Sequence, residues 1–206
     1  MGSTIQVDNI KDIGGNTIIS SNGSGTFTSN LPASAPNVST ATGTLPIANG
    51  GTGAATFAAA GLANTPAFLA QKSSTQSVDS DSTTKVTFTE EIFDSNGTYD
   101  TSNSRFTPGV AGKYCISSQI GFENMSDAKY CANYLYVNGS TLNGRSMGLN
   151  VNGADTTQDL FFSFTYIVNA SATDYYEIYT RHNNGSSRNT VIRQQCFFQA
   201  YKIIGA

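Results

Sequence analysis

The run Lys113-Tyr114-Cys115-Ile116-Ser117-Ser118-Gln119-Ile120-Gly121-Phe122-Glu123 sets the architecture of this chain. Tyr114, Ile116, Ser118, Ile120 and Phe122 fall on one parity, and Cys115, Ser117, Gln119 and Gly121 on the other. Successive side chains of an extended chain point to opposite sides, so this spacing predicts a β-strand with one face in a core. The period recurs downstream. In 129–137, Tyr130, Ala132, Tyr134 and Tyr136 alternate with Cys131, Asn133, Leu135 and Val137. In 160–168, Leu160, Phe162, Phe164, Tyr166 and Val168 oppose Phe161, Ser163, Thr165 and Ile167. Runs at 174–181 and 196–204 behave the same way. Asn-Gly pairs at Asn96, Asn138, Asn143, Asn152 and Asn184 supply turn signals between them. Many short strands, Asn-Gly turns and no helical period predict an all-β chain, an antiparallel sandwich or jelly roll.

Several of these late strands carry apolar or aromatic residues on both parities. A monomeric sandwich has one core face and one wet face per strand. Apolar residues on the second face therefore point to burial against neighbouring subunits.

Upstream the composition changes twice, which predicts an N-terminal segment over 1–30, a linker over 31–66 and a β domain over 67–206. In the first, Ile5, Val7 and Ile10 alternate roughly, Gly14-Gly15 turns the chain, Asn16 to Ser20 forms a second run, and Thr26-Phe27-Thr28 a third. Ile5, Val7, Ile10, Ile18 and Phe27 are too few apolar side chains for an independent core, so this segment needs a partner. The linker opens on the Pro- and Ala-rich Leu31 to Pro36, expected to be extended. The Ala-rich stretch Ala54 to Ala63 predicts a short helix ended by Gly61 or Asn64.

Two resemblances follow from particular motifs. Pro66-Ala67-Phe68, Phe93 to Asp100, Arg105-Phe106-Thr107-Pro108-Gly109-Val110-Ala111-Gly112-Lys113-Tyr114, Leu135 to Gly139 and Phe198 to Ile203 are similar to spaced motifs of the TNF-like jelly roll of the complement globular head. Ala200 stands where that family has glycine and Lys202 where it has leucine. The resemblance covers about two-thirds of the chain and implies tight homotrimers. Tyr134, Tyr136, Phe162, Phe164, Phe198 and Tyr201 are then the expected trimer contacts. There is no Gly-X-Y stalk, so a role in complement is not implied. The linker motif Leu45-Pro46-Ile47-Ala48-Asn49-Gly50-Gly51-Thr52-Gly53-Ala54 resembles one in bacteriophage tail fibres, and the opening, Ser3 to Phe27, is similar to N-termini of small fibre-like phage proteins. That resemblance implies a virion protein attached through Ile5, Val7, Ile10, Ile18 and Phe27.

Composition narrows the chemistry. Charged residues are 12% of the chain and the net charge is −3, so the basic footprint of a nucleic-acid binder is absent. No apolar run approaches the ~20 residues that cross a bilayer, and the N-terminus lacks a secretory pattern. The chain is expected to be made in a host cytoplasm, to avoid membranes and to leave by lysis. Cys115, Cys131 and Cys196 are three in number and widely spaced, which predicts buried free thiols and neither a zinc site nor any other cofactor. Gly50-Gly51-Thr52-Gly53 lacks the Lys-Ser/Thr of a phosphate loop. His182, the single histidine, sits at a strand-to-turn junction and reads as an exposed loop residue.

Asp79 with Asp81, Glu90 with Glu91, and Asp155 with Asp159 are the carboxylate pairs a glycan-cleaving site could use; their positions at strand ends and loops read as solvated charge instead. Recognition is better served by Tyr175, Tyr179, Arg181, His182 and Arg188, whose rings and directed donors suit a host glycan or protein. The expected protein is a non-enzymatic homotrimeric fibre of a phage virion. The alternatives are a capsid-decorating head fibre or cement protein, a depolymerase, and a cellular adhesion module.

Overall fold

The computed structural model describes residues 9–21, 27–29, 51, 53, 54, 56, 59, 60, 62–150 and 158–203. The chain divides into two units, Met1–Gly51 and Thr52–Ala206.

The first unit is an antiparallel three-stranded sheet of β1 (Asn9–Lys11), β2 (Thr17–Ser21) and β3 (Phe27–Ser29), in that order. The Gly-Gly turn forms where the sequence places it. Gly15 has a φ of 83°, a left-handed conformation that favours glycine, and the Asp12 carboxylate accepts from the Asn16 backbone N–H at 2.8 Å and its amide at 2.9 Å. Ile10 and Ile13 are exposed and Ile18 is half-buried. Ile5 and Val7 lie outside the described residues, as does the Phe27 side chain.

In the second unit one sheet takes β4 (Ala67–Lys72), β7 (Glu90–Asp94), β10 (Gly112–Met125), β13 (Gln158–Ala170) and β16 (Arg193–Lys202), in the order β13-β10-β16-β4-β7. The other takes β8 (Tyr99–Asp100), β9 (Arg105–Phe106), β11 (Tyr130–Val137), β12 (Ser140–Asn150) and β14 (Tyr176–His182), ordered β12-β11-β14-β9-β8, with β6 (Thr84–Lys85) also on β14. A small ladder joins β5 (Ser77–Val78) to β15 (Arg188–Asn189). All pairings are antiparallel, and no helix long and apolar enough to cross a membrane occurs among the described residues.

Strand β10 shows how the sequence makes this arrangement. Tyr114, Ile116, Ser118, Ile120 and Phe122 are buried, as their shared parity predicts, and their neighbours face away. Inner faces of both sheets meet in one aromatic-rich core. Phe68 stacks on Tyr99 at 4.6 Å and on Phe106 at 4.8 Å, and meets Phe198 edge-on at 5.0 Å. Such pairs add about 0.5–1.5 kcal/mol beyond the area they bury. The Tyr99 hydroxyl stays satisfied by donating to the Phe88 carbonyl at 2.8 Å.

Four expectations need correction. Phe162, Phe164 and Phe198 are not positioned for trimer contacts: they point inward and are buried within one protomer. The Asn143-Gly144 turn does not form. Tyr136 pairs with Thr141 and Tyr134 with Ser146, so this dipeptide lies in a bulge of β12, while Asn138-Gly139, with φ of 51° and 79°, makes the β11–β12 turn. The helix over 54–63 is a single turn among the described residues, with Ala60 N–H on the Thr56 carbonyl at 3.0 Å and Ala59 N–H on the Thr56 hydroxyl at 3.1 Å. Residues 55, 57, 58 and 61 of that stretch lie outside the described residues.

The fourth is His182, which is buried rather than exposed. As the last inward residue of β14 it donates from Nε2 to the Val78 carbonyl at 2.9 Å, and its Nδ1 accepts from Asn184 N–H at 3.2 Å. Those partners fix the neutral tautomer, and burial lowers the pKa below the usual 6.5. A folded chain that binds this proton more weakly than the unfolded one loses stability as pH falls below 6.5. The melting temperature is therefore expected to drop between pH 6.5 and pH 5, before carboxylates titrate, and to drop less in His182→Gln. Equal slopes in the two proteins would exclude the assignment.

Candidate functional site

The two outward faces of the sandwich differ in chemistry. On the five-stranded sheet, register places Ala67, Tyr201, Cys115 and Ile167 in one row. Phe93, Leu69, Gln199, Ser117 and Thr165 form the next, and Gln71, Phe197, Gln119 and Ser163 a third. None of these side chains is charged, but Glu90 of β7 continues the third row beside Gln71, and Lys113 of β10 flanks the first. Ile167 is 65% exposed and Phe93 50%, with Tyr201 also exposed. Uncharged groups bond among themselves, Ser117 with Thr165 at 2.9 Å and the Gln119 amide with the Gln195 carbonyl at 2.9 Å. Near β7 a recess of about 360 Å³ opens between Leu69, Gln71, Ile92, Phe197 and Gln199. It exists because β7 carries an extra residue: Phe93 pairs with Leu69 and Glu91 with Ala70, leaving Ile92 in the irregularity.

The six-stranded sheet presents tyrosines and charges. Strand β11 turns Tyr130, Tyr134 and Tyr136 outward; β14 turns out Glu177, Tyr179 and Arg181, with Tyr175 just before it. Tyr136 stacks on Tyr179 with centroids 3.9 Å apart, and the Tyr130 and Tyr134 hydroxyls lie 3.4 Å apart. Burial, then the Tyr134 hydroxyl, push the Tyr130 pKa up to about 12. The guanidinium of Arg105 sits 3.9 Å over the Tyr175 ring.

Glu177 is the electrostatic centre of this face. Its carboxylate is 3% exposed and its Oε1 meets Lys85 Nζ at 2.6 Å and Arg105 NH2 at 2.8 Å. Burial alone would raise its pKa; the bonds from Lys85 and Arg105 outweigh that and lower it. A buried carboxylate with two cations is satisfied; removing one cation still leaves a pair, whereas removing Glu177 leaves Lys85 and Arg105 side by side without that counter-ion. Arg181 pairs with Asp81 at 3.1 Å, both largely exposed.

Of the residues expected to bind a receptor, the structure thus brings Tyr175, Tyr179 and Arg181 onto one face. His182 points the opposite way into the core. Arg188 lies in β15 and is occupied by the Asn124 carbonyl at 2.9 Å and the Ser186 hydroxyl at 2.8 Å. Tyr134 and Tyr136, expected at trimer contacts, belong to this tyrosine face; Tyr201 lies on that of the five-stranded sheet. Sequence reasoning missed Lys85, Arg105 and Glu177. Glu177 was findable, since it shares the parity of Tyr175 and Tyr179.

Carboxylates named for glycan cleavage have other partners: Asp79 accepts from Ser187 at 2.7 Å and Asp159 from Asn124 N–H at 3.0 Å. Glu90 and Glu91 are exposed on β7, and Asp155 lies outside the described residues. No group of three or more His, Cys, Asp or Glu suited to a metal ion occurs among the described residues.

Solved structures define the fold. The globular domain of zebrafish complement 1qA protein superposes with a TM-score of 0.50 at 18% identity, over 67% of this chain and 97% of that one. Eiger TNF from S. frugiperda gives 0.52 at 12% identity, over 68% and 93%, and murine APRIL 0.50 at 11% identity, over 66% and 98%. The chain is an all-β protein with a TNF/C1q-like jelly roll. No sequence-family profile matches it, and no curated protein does.

Proposed function

We propose that this chain is a non-enzymatic surface-fibre protein of a phage virion, assembled as a homotrimer, attached by its N-terminal unit and presenting the jelly-roll head to a host surface. The observation that carries assembly is the outer face of β13, β10, β16, β4 and β7, with Ile167, Tyr201 and Phe93 in solvent and charges such as Lys113 and Glu90 at its margins. Apolar surface of this kind lowers its free energy by being covered. Its shape favours a ring. Ile167 projects from edge strand β13, and the recess lies at the other edge, between β4 and β7. A knob and a hole on different edges of one sheet suit a head-to-tail contact, which closes on itself when the rotation permits. Attachment to a particle rests on the Leu45–Ala54 motif and on an N-terminal sheet whose Ile10 and Ile13 are exposed. Three heads on one base would raise avidity through effective concentration.

Light scattering is expected to give roughly three times 21.7 kDa. Ile167→Asp, which puts a charge where each knob enters its neighbour, is expected to give a monomer that keeps its β circular dichroism. A wild type that is monomeric at micromolar concentration defeats the proposal. Labelling the chain on intact particles separates a tail position from a capsid one.

A further inference from the structure

Seven Asn-Gly pairs punctuate the chain, and the structure describes the side chains of three of them: Asn96, Asn138 and Asn184. A glycine after asparagine lets the next backbone nitrogen approach the amide carbon, because no Cβ stands in the way. We propose that Asn96-Gly97 is a site of spontaneous deamidation in the folded protein, promoted by the Ser95 hydroxyl. The step is a displacement. The Gly97 nitrogen gives its proton to hydroxide and bonds to Asn96 Cγ. The Cγ–Nδ2 bond breaks, and the amide leaves as ammonia after taking a proton from water. Water then opens the cyclic imide at either carbonyl, giving aspartate or isoaspartate. Nothing is oxidised or reduced, and water is the sole co-reactant.

Three observations single this pair out. Access is the first. Asn96 and Gly97 are exposed in the loop between β7 and β8, and a Cβ placed on Gly97 would meet nothing within 4 Å, so the glycine has room to turn. The second is freedom of the reacting atoms. Nothing among the described residues accepts from the Gly97 N–H or the Asn96 amide. The nearby Asp94 carboxylate is already engaged: it accepts from the Asn96 N–H and the Thr98 hydroxyl, both at 3.1 Å, and from the Tyr99 N–H at 2.6 Å. The third is activation. Asn96 Oδ1 accepts from the Ser95 hydroxyl at 2.8 Å, and that hydroxyl accepts in turn from the Ala67 N–H at 2.9 Å. Held from behind by Ala67, it donates to the oxygen on which negative charge develops as Gly97 attacks.

The other two pairs lack these features. Asn138 is exposed, but its Oδ1 accepts from the Tyr175 N–H at 3.0 Å and its Nδ2 donates to Asp174 at 2.9 Å, so the amide is held at both ends. Asn184 is 7% exposed, and its Oδ1 accepts from the Ser126 N–H at 2.9 Å. There the attacking group, the Gly185 N–H, already donates to the Ser80 hydroxyl at 2.9 Å. Each must break bonds before it reacts. At Asn96 the isoaspartyl product routes the main chain through Cβ. That adds an atom inside the turn Asp94 spans, so its bonds to Asn96, Thr98 and Tyr99 cannot all keep their geometry.

The test incubates the full chain in mildly alkaline buffer, folded in one sample and in urea in the other, and follows each site by peptide mass spectrometry. In the folded chain Asn96 is expected to convert at least about tenfold faster than Asn138 or Asn184, the rate cost of giving up one or two hydrogen bonds. In urea the three are expected to react at similar rates, since the bonds that separate them are gone. Ser95→Ala is expected to slow Asn96 about tenfold, the worth of one hydrogen bond to a developing charge, and to leave the other two sites unchanged. Ser95→Thr, which keeps the hydroxyl, should react like wild type. The assignment is overturned if Asn96 stays intact in the folded chain, if Asn138 or Asn184 keeps pace with it, if the rates differ as much in urea, or if a folded Ser95→Ala converts as fast as wild type. Should Ser95→Ala fail to fold, the comparison of folded and urea-treated wild type decides alone.

Discussion

Phe198→Ala is expected to lower the unfolding free energy by about 3–5 kcal/mol, the usual range for emptying a buried aromatic site. Phe197→Ala, one residue away, is expected to cost the isolated protomer only a fraction of that. The two side chains are chemically identical and lie on opposite faces of β16. Phe198 is fully buried and touches Phe68 at 5.0 Å and Phe88 at 5.8 Å. Its aromatic neighbours are held from both sheets, so the site cannot collapse to fill a cavity. Phe197 lines the outer recess and is half-buried. Its loss should appear as weaker self-association. Urea unfolding at several protein concentrations separates these effects: the Phe198→Ala midpoint falls at every concentration, while the Phe197→Ala midpoint falls only where wild type is assembled. Equal, concentration-independent losses would mean that the outer face buries nothing in an assembly.

That pair also shows where the sequence was legible. Alternation placed β10, β11, β13, β14 and β16 close to their true spans. It could not orient Phe161-Phe162 or Phe197-Phe198, because two adjacent phenylalanines satisfy either parity. Register supplies the answer. Phe162 pairs with Ile120 and Phe161 with Gly121, and the Phe161 ring lies so close over Gly121 that an added Cβ would sit 2.4 Å from it. A glycine inside an otherwise bulky strand was the available sign that a ring crosses there. His182 was misplaced because Asn184-Gly185 drew it into a turn, although Tyr176, Ile178 and Thr180 share its parity and are buried. Lys85 and Arg105 come from two-residue strands, too short for any period. Only the fold brings them to Glu177.

Lys72→Met is expected to reverse part of the alkaline pH dependence of stability. Lys72 is 1% exposed, faces the core at the end of β4 and forms no salt bridge among the described residues. Among the described residues its ammonium has only the Thr87 carbonyl at 3.0 Å and the Gln76 amide oxygen at 3.3 Å. Burial therefore lowers the pKa from 10.5 to about 8, with a smaller opposing effect from Cys196. Between those values the unfolded chain keeps the proton and the folded chain has released it. Unfolding then takes up protons, and stability rises with pH by up to ~1.4 kcal/mol per unit, about 3 kcal/mol over the whole window.

Cys131 acts with the opposite sign. Burial pushes its thiol up to about 12 from 9, so its contribution is full below pH 9 and is lost above it; Cys196, also raised by burial, behaves alike. The wild type should accordingly be most stable near pH 9. Subtracting the Lys72→Met curve cancels Cys131 and leaves the lysine below pH 9, where the Cys196 thiol, which interacts with Lys72, still keeps its proton. The difference between the two proteins should move by about 1 kcal/mol in favour of wild type from pH 7 to pH 9. A difference that stays flat with pH would show that Lys72 keeps its proton in the folded chain, and that its two oxygens suffice to hold a buried charge.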